Sequence, residues 1–283
     1  SATPTTTNAQ GIAATSWTLG PDAGTQTLTA SAAGQSVQFS ATAEPAGAAA
    51  ITVFSGNNQT GTVGTTLPAA LEARVTDSFG NPVAGVSVSW TPADGSVSAT
   101  PTTTNAQGIA ATSWTLGPDA GTQTLTASAA GQSVQFSATA EPAGAAAITV
   151  FSGNNQTGTV GTTLPAALEA RVTDSFGNPV AGVSVSWTPA DGSVSATPTT
   201  TNAQGIAATS WTLGPDAGTQ TLTASAAGQS VQFSATAEDP APSLAMLLGV
   251  SSANSLARAA YNRKAPEDPD AAPGPPEYGM ETE

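Results

Sequence analysis

The sequence predicts an all-β chain: tandem antiparallel β-sandwiches of seven or eight strands each, strung as beads and followed by a short non-β tail. Three observations lead there. Residues 1–44 recur letter for letter at 98–141 and 195–238, and residues 45–97 recur at 142–194, a period of 97 that breaks after Glu238. Solenoid units run about 20–50 residues and cannot stand alone, whereas a unit of this length is a small independent domain. Short apolar/polar alternations with turn residues between them recur at about ten-residue spacing and no helical period intervenes, the pattern of a sandwich. Finally, charged residues are only 8% of the chain, and Thr and Val are plentiful, which suits strands better than disorder. The expected organisation is a back half-unit at 1–44, whole units at 45–141 and 142–238, and a tail at 239–283.

Each unit is centred on Glu72–Trp90. Leu71, Ala73 and Val75 alternate with Glu72, Arg74 and Thr76, one apolar face against one polar face. Asp77-Ser78-Phe79-Gly80-Asn81-Pro82 supplies turn chemistry, because Asp bonds backbone two residues on and Pro fixes φ. Val83–Trp90 then reads as the return strand, with Val86, Val88 and Trp90 inward. Around this pair the sequence predicts strands at Ile51–Phe54, weakly at Thr60–Val63, at Ser96–Ala99, at Gly108–Leu116, at Gln123–Ala127 and at Ser133–Ala138. In Gly108–Leu116, Ala110, Thr112, Trp114 and Leu116 share a face. The turns fall at Gly56-Asn57-Asn58, Asp94-Gly95, Asn105–Gly108, Gly117–Gly121 and Gly131.

The expected core is Trp90 and Trp114 with Val75, Val86, Val88, Leu116, Leu125, Val134 and Phe136, and Trp187 and Trp211 serve the next unit. Residues 1–44 carry the back part of the pattern alone, with strands expected at Gly11–Leu19, Gln26–Ala30 and Ser36–Ala41, half a core and an unpaired edge. Such a half-unit implies a longer repeat protein with more copies. In the tail, Leu244–Val250 is an apolar run too short to span a bilayer. Ser252–Lys264 would form one short helix capped by Ser252, and the Pro-rich acidic 265–283 reads as disordered.

Composition narrows the chemistry. Nineteen acids against five bases give a net charge of −14, whereas a phosphate backbone demands clustered Lys and Arg. Nucleic acid is therefore not an expected partner. The chain has no His and no Cys, which removes the commonest general base, the thiol nucleophile and the usual zinc ligands. No stretch of about 20 apolar residues offers a membrane span.

Val75-Thr76-Asp77-Ser78-Phe79-Gly80-Asn81-Pro82-Val83-Ala84-Gly85-Val86, then Thr104–Ala110, Trp114–Gly117 and Gly121–Ala127, together resemble the group-one bacterial immunoglobulin-like domain of the invasin and intimin type. The D-x-x-G-N-P-V-x-G-V run followed by T-x-x-x-G-x-A carries the likeness, over 1–238. The resemblance implies an Ig-like fold, domains stacked end to end, and an extracellular or bacterial cell-surface location. It also implies a part in cell adhesion, with any host or surface ligand met through a domain outside these residues. It supplies no counterpart for the tail.

Carboxylates are the only side chains left for site chemistry. In one unit they are Glu72, Asp77, Asp94, Asp119 and Glu141, scattered along the sequence, and Asp77 and Asp94 fall where Asp serves a turn. Calcium needs six to eight oxygens; Asp119 and Glu141, near the joint between units, are its weak candidates. Otherwise no catalytic, cofactor or metal residue is expected, and the chain is not expected to be an enzyme. Glu72 and Arg74 would form a surface pair of little energetic weight. Asn58-Gln59-Thr60 fits a glycosylation acceptor. Identical copies imply no division of labour, and length is the property that adds. The expected function is a structural spacer or stalk, each copy adding about 30–40 Å, joined to its neighbours through the short linker Glu141–Ala147. The alternatives are a carbohydrate- or ligand-binding module, which would need exposed tryptophans, and accessory repeats of a secreted enzyme.

Overall fold

Gln26–Ala30 and Ser36–Ala41, joined by a loop with left-handed Ala33 and Gly34, form the first hairpin of the computed structural model, which describes residues 4–241. Its strands are β1 (Gly24–Ala32) and β2 (Gln35–Ala43). The first whole repeat follows with β3 (Ala50–Ser55), β4 (Gln59–Thr62), β5 (Leu71–Thr76), β6 (Ser87–Pro92), β7 (Ser96–Val97), β8 (Thr102–Thr103), β9 (Ile109–Thr112), β10 (Trp114–Thr115), β11 (Gly121–Ala129) and β12 (Gln132–Glu141). The second repeats them as β13 (Ala147–Ser152) through β22 (Gln229–Glu238). No helix occurs among the described residues. The expected tail helix and apolar run lie outside them.

Two sheets face each other in each repeat. One has five strands in the order β4-β12-β11-β6-β8, the other three in the order β3-β5-β9, and β7 and β10 form a separate pair. Pairing is antiparallel except that β4 runs parallel to β12. Alternation puts Leu71, Ala73 and Val75 into the core, fully buried. Trp90 is 2% exposed and Trp114 0%, and the Trp90 and Phe136 rings lie tilted with centroids 5.7 Å apart. Each indole N–H keeps a partner, Thr102 Oγ1 at 2.7 Å for Trp90 and the Asp94 carbonyl at 3.2 Å for Trp114. Val86 and Val134 pack at the core's margin, and Ile51, Val63 and Leu67 complete it.

Four sequence expectations need correction. The strand over Val83–Trp90 starts only at Ser87. Before it, the buried Thr104 takes over the backbone of Val83–Val86, its hydroxyl donating to the Val83 carbonyl at 2.8 Å and accepting from Val86 N–H at 2.9 Å. Gly108–Leu116 breaks at Ser113, so β9 joins β5 while β10 joins β7. The four inward residues stay buried across the break, because Ser98 and Thr112 hydroxyls bind the backbone at the crossover. In the leading half-repeat no strand forms over Gly11–Leu19. Its counterpart β9 is held by β5, and residues 1–44 contain no equivalent of β5. Each whole repeat has ten strands rather than seven or eight, since β8 and the split at Ser113 add short pieces.

Candidate functional site at the junction between repeats

The most specific run in the sequence, Asp77–Pro82, lies at the end of its repeat that meets the preceding one, and Asp174–Pro179 does the same one period later. Asp174 organises the turn. Its Oδ1 accepts from the Phe176 and Asn178 backbone N–H groups at 2.9 and 2.8 Å, closing an Asx-type turn. Its Oδ2 accepts from the Asn178 side-chain amide and from the Ala143 backbone N–H, each at 2.9 Å. Ala143 belongs to the linker, so this carboxylate ties the linker to the downstream repeat. A second tie runs from Ala146 N–H to the Thr173 carbonyl at 2.8 Å.

Asn178 reaches the other way. Its Oδ1 accepts from Ala120 N–H at 2.9 Å and its Nδ2 donates to the Pro118 carbonyl at 2.8 Å, both in the preceding repeat. The receiving loop is itself shaped by Gln123. That buried side chain accepts from Gly117 N–H at 2.8 Å and donates to the Asp119 carbonyl at 2.7 Å. The upstream junction repeats the arrangement: Asn81 accepts from Ala23 N–H at 3.0 Å and donates to Pro21 at 2.8 Å, while Asp77 holds Ala46 N–H at 2.9 Å. Phe176 adds an apolar contact, its ring tip lying against Gly64 of the preceding repeat.

The two signature runs of the sequence meet here. Val75 N–H donates to the Gly108 carbonyl at 2.8 Å, and a Cβ on Gly108, at φ +71°, would come within 2.5 Å of the Val75 carbonyl oxygen. Glycine is required for that approach. Thr104-to-Gly108 thus buttresses the turn that Asp77 closes. Burial raises the Asp77 carboxyl pKa, but the Asn81 amide and the backbone N–H groups of Ala46, Asn81 and Phe79 outweigh it and lower the value to about 2. Asp174 is lowered for the same reasons.

The other singled-out residues fall elsewhere. Asp119 stands exposed in the receiving loop, where its backbone carbonyl serves Gln123, and Glu141 stands exposed at the end of β12. Both lie at one end of the β11–β12 hairpin, and the junction bonds run through Asp174 and Asn178 instead. Among the described residues no three carboxylates gather into a group able to hold a metal ion. Asp94 turns the chain at Gly95, its Oδ1 accepting at 2.7 Å. Glu72 accepts from Ser55 Oγ at 2.6 Å, and the buried Nε of Arg74 has no hydrogen-bond partner, so the pairing foreseen for those two side chains is not what engages them. Sequence reading missed Asn178 and Gln123 as joint residues, because both form their bonds through backbone groups that leave no compositional trace.

A β-sandwich that carries such a clasp at each end defines a class: domains made to be linked in series. The chain belongs to the bacterial Ig-like domain (group 1) family, whose model matches residues 52–141 and 147–238. No characterised protein sequence matches it significantly. Among solved structures it is similar to the Escherichia coli adhesin FdeC, with 20% identity, 77% of this chain and 75% of that chain covered, and a TM-score of 0.45. Yersinia pseudotuberculosis InvD gives 17%, 66% and 56%, and 0.46. The integrin-binding protein invasin gives 21%, 67% and 40%, and 0.33.

Proposed function

We propose that these repeats are a spacer: a stalk segment of a bacterial surface or secreted adhesin-like protein, without catalysis of its own. The observation that carries the reading is the sameness of the two junctions. Asn81 and Asn178 bind the same two backbone groups of the preceding unit, with distances agreeing within 0.1 Å. A joint reproduced at each period sets a fixed step, and fixed steps add to length. Burial of Trp90, Trp114, Trp187 and Trp211 supports this reading over a carbohydrate-binding module, which needs indole faces open to a sugar. Family membership supports an extracellular or cell-surface location, with host contact made by some other part of the parent protein.

Chains with two, four and six whole repeats, compared by small-angle scattering, test it. The maximum dimension should grow by one constant increment of about 30–40 Å per repeat. Dimensions that level off with copy number, as a folded-back or freely jointed chain would give, overturn the reading.

A further inference from the structure

Each whole repeat is entered and left by strands of different sheets. The chain comes in along β3, on the three-stranded sheet, and goes out along β12, on the five-stranded one. β4 joins the two: it follows β3 in sequence, yet Gln59–Thr62 lies beside Ala138–Glu141 and parallel to it. The crossing at Gly56–Asn58 is pinned from both sides. Asn57 Oδ1 accepts from Ser137 N–H and Asn58 N–H donates to the Ser137 carbonyl, each at 2.8 Å, while Ser137 Oγ donates to Asn58 Oδ1 at 2.5 Å. Gln59 holds the other side. Its amide donates to the Gly56 and Ala69 carbonyls at 2.7 and 2.9 Å, and its Oε1 accepts from Ala69 N–H at 2.9 Å. At the far end Val63 N–H donates to the Glu141 carbonyl at 2.9 Å. In the second repeat Asn154, Asn155 and Ser234 reproduce the Ser137 bonds to within 0.1 Å.

We propose that this parallel pair is a tension-bearing clamp, so that each repeat resists pulling along the stalk as well as setting its length. The purpose of the clamp rests on the stalk reading; its physics rests on strand direction. Tension draws β4 by its leading end, through β3, and β12 by its trailing end, at Glu141. Parallel strands drawn apart in that way slide along one another. The evenly spaced bonds from Asn58 to Val63 are then strained together and fail together. A pair pulled apart from one shared end opens one bond at a time instead. β3 is also loaded lengthwise, against β5. If it slips, the tension passes to Asn57 and Asn58, which are bonded to β12 directly. Forced unfolding is governed by the unfolding rate rather than by equilibrium stability, so the direction of pull sets the resistance of one and the same fold.

Single-molecule force spectroscopy on the full chain, pulled in two directions, is the test. The chain has no Cys, so introduced cysteines are unique handles. One version carries them at the two ends of the chain. The other carries Thr62→Cys and Glu141→Cys, kept reduced until the handles are attached, and peels β4 from β12 across the strands; neither side chain belongs to the bonds described above. At one loading rate, end-to-end pulling should rupture the whole repeats at a force several-fold higher than peeling does. Asn57→Ala with Ser137→Ala, pulled end to end, should lower one of the two rupture peaks and leave the other, from the second repeat, as an internal standard. Equal forces in the two directions overturn the proposal, and so do two unshifted peaks in the double variant. Neither result touches the constant increment of length per repeat, so the clamp and the spacer reading fail separately.

Discussion

Phe176 closes over Gly64 of the preceding repeat so tightly that a Cβ on Gly64 would stand 3.0 Å from the ring's Cζ. Gly161 occupies the same place one period later, at the same φ of +70°, with nothing within 4 Å. The pair separates backbone strain from contact. Alanine at either position should cost about 1 kcal/mol or more, because the left-handed conformation is retained. Only Gly64→Ala should also shift the Phe176 ring resonances. Among the described residues no counterpart of Gly64 stands before Phe79, which is 65% exposed against 51% for Phe176. Equal perturbation of Phe176 by both alanines would show that the ring does not touch Gly64.

Asn178→Ala removes the two bonds to the preceding repeat and one to Asp174. At about 1 kcal/mol for each neutral hydrogen bond, the loss across the junction is about 2 kcal/mol, with little effect inside either core. Spin labels placed in the two whole repeats should give a broader distance distribution in the variant. An unchanged distribution would remove Asn178 from the joint.

Acid should loosen the same joint. The folded-state carboxyl of Asp77 is held at about 2, below its ordinary 3.8, and Asp174 is shifted in the same direction. A lowered folded-state pKa means that the stabilisation is complete above about 3.8 and is lost as pH falls through about 2. The distance distribution should therefore be constant at neutral pH and widen only between roughly pH 4 and 2. Asp77→Asn with Asp174→Asn should show less of that dependence. Widening near pH 6 would point to other groups.

The fold was legible because alternation is a local property: Leu71–Thr76 and Ser133–Ala138 declare their inward faces within a few residues, and both lie as read. What was illegible depended on partners distant in sequence. Val83–Val86 looks like strand until Thr104 claims its backbone, and Ile12–Leu19 has the letters of β9 and β10 without β5 to pair with. The joint was half legible. Asp77 and Gly80 announced a turn, but nothing local shows that Asn81 faces a loop 60 residues away.

Calcium chelation should leave the melting profile unchanged. Both oxygens of Asp174 are already engaged by N–H donors, which a cation would have to displace. Asp119 and Glu141 remain the carboxylates nearest a junction that could respond, and a chelator-dependent fall in Tm abolished by Asp119→Asn with Glu141→Gln would assign them a cation after all.

Identical repeats also allow coupling to be read from a single substitution. Trp90→Ala empties the centre of one core and should cost that repeat about 3–5 kcal/mol, a large part of the 5–15 kcal/mol typical of such a domain. Trp187 and its surroundings are untouched, so the melt of the full chain should split into an early transition for 45–141 and a late one for 142–238. How far the late transition falls below that of the unaltered chain measures what the clasp at Asp174 and Asn178 transmits. The bonds that Asn178 alone makes across the junction set an expected coupling of about 2 kcal/mol. Adding Asn178→Ala should leave the late transition in place, since 142–238 already melts there without a folded neighbour, and should lower the early one by the lost coupling. A single unsplit transition in Trp90→Ala would mean that the two repeats unfold as one cooperative body, bound far more strongly than these hydrogen bonds allow.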